Sequence, residues 1–141
     1  MKSTYAHSLT LLLIAVPMAL AFTACGGNDS GLYQVKGRLT HDGEPIPQMK
    51  IIFVPEDTGI HPESYATTDT EGRFEMKVVS TPGVAPGKHT VFVQDPAAVQ
   101  GGKTSTDKAY LAVLKKYGDE ESSPFTITIE EDLPDLELKL D

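Results

Sequence analysis

Strict alternation of apolar and polar residues marks several stretches of the chain. It covers residues 33–40, residues 73–78, residues 125–129 and the leucines at 136, 138 and 140. A period of two predicts β-strands with one buried and one solvated face. Two denser apolar runs, residues 49–54 and 88–94, predict strands that are more deeply buried. A weaker strand is expected at residues 64–68.

Turn residues separate these stretches. Four pairs combine a glycine, which accepts a positive φ, with a residue that favours turns: Asp42-Gly43, Glu71-Gly72, Pro82-Gly83 and Pro86-Gly87. Such turns favour short connections between strands. Six strong strands and a weaker seventh therefore predict an all-β fold, a seven-stranded β-sandwich.

One segment has the period of a helix. Within residues 106–117, four apolar side chains recur at i, i+3, i+4 and i+7: Tyr110, Val113, Leu114 and Tyr117. This spacing predicts one short amphipathic helix inside a long crossover, residues 95–124. Thr106 or Asp107 is expected to cap its start, and Gly118 to end it. The helix is expected to cover an open end or edge of the sandwich; a partner-binding helix is the alternative.

The first 24 residues have the layout of a secretory signal peptide. Residues 1–7 are polar and include Lys2, whereas residues 9–22 are almost continuously apolar. This order of segments is typical of export signals. A membrane-spanning helix needs about 20 apolar residues, and this run is shorter, contains Pro17 and lacks a basic flank. We therefore expect residues 1–24 to be a cleaved leader.

The residues around the single cysteine resemble a known processing site. Phe22-Thr23-Ala24-Cys25 resembles the lipobox of bacterial lipoproteins, although that motif usually begins with Leu. The resemblance implies cleavage between Ala24 and Cys25 and lipidation of Cys25 with acyl chains such as palmitate. Two or more acyl chains anchor a protein stably, so the membrane is the expected partner of this end. An unmodified thiol near an ordinary cleavage site is the alternative.

Cleavage at that point would leave 117 of the 141 residues, the size of one domain. The leader contains one basic residue and no acidic residue, so the net charge would change from −8 to −9. Nucleic acid is an unfavourable partner for such an acidic chain, because phosphate binding depends on Lys and Arg. Residues 25–32 are composed like a flexible tether. Residues 33–141 would then form the folded domain.

Five segments carry a resemblance to a protein family. They are GRL at 37–39, DGEPI at 42–46, IIFVP at 51–55, TDTEGRF at 68–74 and PGKHTV at 86–91. Together they resemble the carboxypeptidase regulatory-like domain, and most of all the small bacterial lipoproteins built from one such domain. The resemblance implies a seven-stranded Greek-key sandwich of the transthyretin-like (prealbumin-like) type, without catalytic activity. A related hydrolase uses a C-terminal Tyr-Arg-Gly-Ser segment, whereas this chain ends Leu-Lys-Leu-Asp.

The histidines do not form an evident metal site. His41, His61 and His89 are far apart in sequence, and only His61 has a carboxylate nearby, at Glu63. A zinc site needs three or four converging ligands, so a solvated loop pair is the simpler interpretation of His61 and Glu63. His41 is most simply a turn residue, and His89 lies in a strand that leaves its facing open.

The acidic runs and two neighbouring serines are further candidate sites. Residues 119–121 and 130–132 are all acidic, and calcium binding is one hypothesis if the two loops meet. Ser122 and Ser123 lack the neighbouring base that a nucleophile needs. Residues 101–104 lack the spacing of a phosphate-binding loop. No catalytic residue, metal ligand or cofactor is therefore expected.

The tyrosines provide little support for a sugar-binding shelf. Tyr65 is plausibly exposed, whereas Tyr110 and Tyr117 have the spacing of core residues on a helix. The leading prediction is a noncatalytic, lipid-anchored, extracytoplasmic β-sandwich of the bacterial cell envelope, on its periplasmic face or outer membrane. Its role would be structural or protein-interacting, with an envelope protein or surface polymer as partner. A module that binds glycan or calcium through loops at one end is the alternative, and an undetected hydrolase is a third hypothesis.

Overall fold

The computed structural model describes residues 30–57, 59 and 61–141. The predicted signal peptide, the cleavage site Ala24–Cys25, the lipidated Cys25 and most of the tether lie outside the described residues. The described part is mostly β, with one sheet of four strands, one of six strands and two short helices, in an open sandwich-like arrangement. No helix among the described residues has both the length and the apolar character needed to cross a bilayer.

Ten strands and two helices make up the described chain. They are β1 (Val35–His41), β2 (Glu44–Pro45), β3 (Lys50–Pro55), β4 (Ser64–Thr67), β5 (Arg73–Glu75), β6 (Lys77–Val78), β7 (Thr81–Pro82), β8 (Gly87–Gln94), α1 (Pro96–Val99), α2 (Lys108–Tyr117), β9 (Thr126–Ile129) and β10 (Leu133–Lys139). The smaller sheet has the order β10-β1-β2, with β5 also paired to β1. The larger sheet has the order β7-β6-β4-β3-β8-β9.

All the predicted strands are present, but residues 73–78 form two strands instead of one. β5 pairs with β1, and β6 pairs with β4 of the other sheet. The chain changes sheet at Met76, which is fully buried. Its N–H donates to the carbonyl of Val35 and its own carbonyl accepts from Gly83, so the corner keeps its backbone hydrogen bonds. Apolar alternation continues through such a corner, because both strands face the same core.

The predicted count of seven strands was too low. β2 and β7 are additional strands of two residues, too short to show any period. β2 folds back on β1 over Asp42-Gly43, where both residues have a positive φ of 50° and 81°. That pair of angles is typical of the tight turn that Asp-Gly favours in hairpins.

The main core lies between the two sheets. It contains the inward side chains of the long strands, among them Leu39, Ile51, Phe53, Val91 and Val93. The two dense apolar runs are buried on both faces, as predicted. Their outward residues form a second small cluster on the other face of the larger sheet: Ile52, Val54 and Phe92.

The predicted amphipathic helix is confirmed as α2. Asp107, and not Thr106, caps it by accepting a hydrogen bond from the N–H of Tyr110 at 2.9 Å. The helix ends before Gly118, and its buried side chains Tyr110, Val113 and Tyr117 join the main core. The prediction of a single helix was wrong, because α1 also lies in the crossover. Four residues are too few to show periodicity, although Asp95 followed by Pro96 is a helix-start signal.

Candidate functional site

A groove of about 930 Å³ opens at the end of the larger sheet where β3 begins and β4 and β8 end. We call it the end groove. Its walls are the loop between β2 and β3, the helix α1, and the first turn of α2. Five of its lining residues are proline or alanine: Pro45, Pro47, Pro96, Ala97 and Ala109. The other nine lining residues are polar or charged, so these prolines and alanines form the apolar part of the walls.

The loop on one side of the end groove is fixed by Thr68, which is buried. Its hydroxyl donates to the carbonyl of Ile46 at 2.8 Å and accepts from the N–H of Met49 at 2.9 Å. Gln48, between them, has a φ of 55° and donates its N–H to the carbonyl of Thr68 at 3.1 Å. These bonds hold the loop in a defined shape, so this wall is preformed.

Asp95 lies at the base of the end groove, immediately after β8, and only 5% of it is exposed. Its Oδ1 accepts from the N–H of Ala97 at 2.9 Å and caps α1. Its Oδ2 is buried and has no hydrogen-bond partner among the described residues. Buried polar atoms usually have a partner, so this oxygen is an unused acceptor buried beneath the surface of the groove.

The carboxyl of Asp95 is held in its charged form. Burial on its own would raise its pKa, but the hydroxyls of Thr104 and Tyr110 and the N–H of Ala97 outweigh it, so the pKa is lowered. Neither hydroxyl reaches Oδ2 with the geometry of a hydrogen bond, so we treat them as nearby dipoles and not as partners of that atom. The groove therefore has a fixed negative charge at its base.

Tyr110 connects the crossover to the loop wall. Its hydroxyl donates to the carbonyl of Gln48 at 3.5 Å, a long hydrogen bond. Burial and the neighbouring charge of Asp95 raise the pKa of Tyr110 to about 12. The phenol therefore stays protonated and acts as a donor, and it cannot serve as a base near neutral pH.

The end groove is negatively charged. Glu44, Asp95 and Asp107 line it, against a single cation, Lys103. The ion pairs found among the described residues lie elsewhere, at Lys36–Glu75, His41–Asp42, Arg73–Glu71 and Lys88–Glu56. None of the charged residues of the groove is therefore neutralised by a direct ion pair in the described part of the chain.

The histidines that the sequence offered as candidates do not meet in the groove. His41 is the last residue of β1, where it pairs with Glu44 of β2, so the prediction of a turn residue was wrong. Its Nδ1 donates to the carbonyl of Leu140 at 2.6 Å. His89 is fully buried beside Phe53, and its Nδ1 donates to the carbonyl of Gly87 at 3.0 Å. His61 is partly exposed and Glu63 is exposed. Within the described ranges, no three His, Cys, Asp or Glu side chains are arranged to hold a metal ion.

The two acidic runs bind backbone N–H groups of the protein itself. Asp119 accepts from the N–H groups of Glu121 and Ser122, at 2.8 and 3.2 Å. Asp132 accepts from the N–H of Gln34 at 2.7 Å. Neither run lines the end groove. The hydroxyl of Ser123 donates to the carbonyl of Val91 and so closes the loop before β9.

Of the residues that the sequence offers as candidate sites, Lys103 and Tyr110 line the groove. The burial of Tyr110, like that of Tyr117, is as predicted, whereas Tyr65 is 40% exposed under the ammonium of Lys50. Asp95 was missed. Its only sequence signal is the helix-start pair Asp95-Pro96, and nothing in the sequence indicates that this carboxyl meets Tyr110.

Comparisons with protein-family models, with curated proteins and with solved structures find no match to this chain.

Proposed function

We propose that this chain is a noncatalytic, lipid-anchored protein of the bacterial cell envelope that binds a partner in the end groove. The observation that carries the binding role is the groove itself, with one preformed loop wall, apolar surface from prolines and alanines, and a charged carboxylate that has one oxygen without a partner. Ligand sites are typically concave and mostly apolar, with a few polar groups that fix orientation. The end groove is concave and has apolar surface beside such polar groups.

The location rests on the N-terminal sequence. An export signal followed directly by Phe22-Thr23-Ala24-Cys25 favours cleavage before Cys25 and acylation of its thiol. Two or three acyl chains would hold the protein on a membrane, with the domain outside the cytoplasm. The partner would accordingly be an envelope protein or a surface polymer.

The turn at residues 69–73 supports the resemblance to the carboxypeptidase regulatory-like domain and its Greek-key sandwich. Asp69 Oδ1 accepts from the N–H groups of Glu71 and Arg73, at 2.8 and 2.9 Å. Gly72 has a φ of 75°, and the side chain of Phe74 is buried in the main core. The motif that suggested the family thus has the turn and core roles expected of it.

A noncatalytic role agrees with the chemistry of the groove. Tyr110 is protonated and Asp95 is charged, so the groove offers a hydrogen-bond donor and a charged acceptor. These groups are suited to holding a ligand by charge and hydrogen bonds. A binding function therefore accounts for the site with fewer assumptions than an enzyme does.

Replacing Cys25 by Ser tests the anchor. In the native bacterium we expect the wild-type protein in the membrane fraction, with a mass shift on the N-terminal peptide that corresponds to acylation. Cys25→Ser should lose this mass shift and leave the membrane fraction if it is exported. Thr23→Ser is the matched control, because it keeps a small residue before the cleavage site. Unchanged membrane partition of Cys25→Ser, or an unmodified wild-type N-terminus, would contradict the proposal.

A further inference from the structure

The chemistry at the base of the end groove selects the kind of group that binds there. Asp95 Oδ2 is an acceptor without a donor, in a carboxyl that is only 5% exposed. A buried carboxylate oxygen gains most from a charged donor, because charge-assisted hydrogen bonds are roughly twice as strong as neutral ones. The missing partner is therefore a cation that donates hydrogen bonds.

The rim of the groove favours the same sign of charge. Glu44 and Asp107 add two more carboxylates, against one ammonium at Lys103. A field of this sign concentrates cationic ligands and repels anions. A phosphate or a carboxylate ligand is accordingly disfavoured.

The walls indicate what carries the cation. The prolines at 45, 47 and 96 and the alanines at 97 and 109 present apolar surface above the carboxyl. A straight alkyl stem can lie along such surface while its charged end reaches a polar group, as lysine side chains do elsewhere. A bare inorganic cation would leave these walls unused.

We propose that the end groove binds a lysine side chain presented by a partner polypeptide, with the ammonium on the carboxylate of Asp95 and the methylenes against the proline and alanine walls. This inference deepens the proposed function and rests on it, since it names the chemistry of the partner. The carbonyl of Gln48 accepts only one long hydrogen bond, from Tyr110, so it can serve the ammonium as a second acceptor.

Binding requires a small local movement. Asp95 Oδ2 is closed to solvent. The hydroxyls of Thr104 and Tyr110 lie near this carboxyl and lower its pKa. Thr104 lies on the irregular segment between the two helices, and under the proposal its side chain moves aside when the ammonium reaches the carboxyl. Lys103, next to it, is the internal competitor for the same carboxylate.

A set of short peptides tests the proposal from the ligand side. The full chain, purified in detergent, is titrated with acetyl-Ala-Lys-Ala-amide and followed by calorimetry. We expect saturable binding by this peptide. We expect none by the matched peptides in which norleucine or glutamate replaces lysine, since norleucine keeps the stem and lacks the ammonium. Equal binding of the norleucine peptide would overturn the proposal. It would also be overturned if the lysine peptide did not bind at about 10 mM, because a contact with a higher dissociation constant would be too weak to be useful.

Asp95→Asn tests it from the protein side. Asparagine keeps an oxygen for the N–H of Ala97 but removes the charge, so we expect binding to weaken by about 10- to 100-fold, the value of a hydrogen bond to a charged group. Asp135→Asn is the control, because Asp135 is an exposed residue of β10 outside the groove. Lys103→Ala should tighten binding if Lys103 competes. Unchanged affinity in Asp95→Asn refutes the role of this carboxyl, and if that variant fails to fold, the peptide series decides alone.

The two proposals fail separately. Peptide binding is measured on purified protein, so it does not depend on where the chain resides or on its acylation. Cys25→Ser protein should bind the lysine peptide as the wild type does. Loss of membrane attachment with binding retained would overturn the anchor alone, and retained attachment with no binding would overturn the groove assignment alone.

Discussion

Gly37 is the position where a single methyl group should damage the fold most. It lies in β1, in the middle of the smaller sheet, between β10 on one side and β5 on the other. A Cβ built there falls inside van der Waals contact with the carbonyl oxygen of Leu136 and only 2.8 Å from its carbonyl carbon. Both atoms are backbone, so no side-chain rotation can relieve the overlap. In Gly37→Ala, β10 must move away from β1.

The size of the effect follows from what β10 and the residue after it contribute. Leu138 and Leu140 are fully buried in the main core. Each fully buried leucine contributes about 1.5–3 kcal/mol. An overpacked site that relaxes in part costs about 1–3 kcal/mol. Full detachment of β10 would remove the burial free energy of both leucines. We therefore expect Gly37→Ala to lower the free energy of unfolding by about 3 kcal/mol or more, a large part of the stability of a small domain.

Urea unfolding measures this change. The chain has no tryptophan and five tyrosines, so tyrosine circular dichroism in the near ultraviolet is the appropriate signal. Gly59→Ala is the matched control, since nothing lies within 4 Å of a Cβ at that position, and it should unfold like the wild type. If Gly37→Ala were within about 0.5 kcal/mol of the wild type, the range of an ordinary surface substitution, the close approach of β1 and β10 would be refuted.

Two further predictions concern backbone strain and pH. Val79 has a φ of 56° and is 74% exposed at the tip of the β6–β7 hairpin. Because asparagine tolerates this conformation better than valine, Val79→Asn should raise the free energy of unfolding, measured in urea, by about 1 kcal/mol. A loss of stability in this variant would contradict the prediction. Burial lowers the pKa of His89 below its ordinary 6.5, against the opposing bond to the carbonyl of Gly87. Between the two pKa values, the imidazole of His89 is protonated in the unfolded chain and neutral in the folded chain. The contribution of His89 to the free energy of unfolding is therefore complete above pH 6.5. It falls by up to about 1.4 kcal/mol per pH unit as the pH drops from 6.5 to the folded pKa. Unfolding measured from pH 7.5 to 5 in wild type and His89→Phe should show the steeper fall only in the wild type, and identical profiles would be the contrary result.

The sheets were predictable from sequence because their signals are local. Alternation at residues 33–40 and 125–129 indicated β1 and β9 directly, and the turn glycines at 43 and 72 have the positive φ expected of them. The change of sheet at Met76 was not predictable, because it depends on which neighbouring strand offers a backbone partner. The period of apolar residues indicates which face of a strand is buried, but it does not indicate which of the two sheets the strand joins.

The candidate site shows the same limit more strongly. The residues that carry recognisable chemistry in the sequence, the histidines and the acidic runs, serve turns, loops and the core. Asp95 carries no such signal, and its importance comes from burial and from the lack of a partner for one oxygen. Both are properties of the folded chain, so the end groove had to be found in three dimensions.

The crossover explains why the site and the scaffold are separable. Asp95 begins the excursion between β8 and β9, which passes through α1, through Gly101 with a φ of 75°, and through α2, where Tyr110 lies near its middle. The buried face of α2 belongs to the main core, whereas residues 100–107 between the two helices are exposed or, at Thr104, half-buried. This segment can therefore vary in sequence and reshape the groove at little cost to the core, which is the usual division between a rigid scaffold and the loops that carry function. On this view, substitutions between residues 100 and 106 should alter peptide selectivity far more than the free energy of unfolding, whereas substitutions at Gly37 should do the reverse.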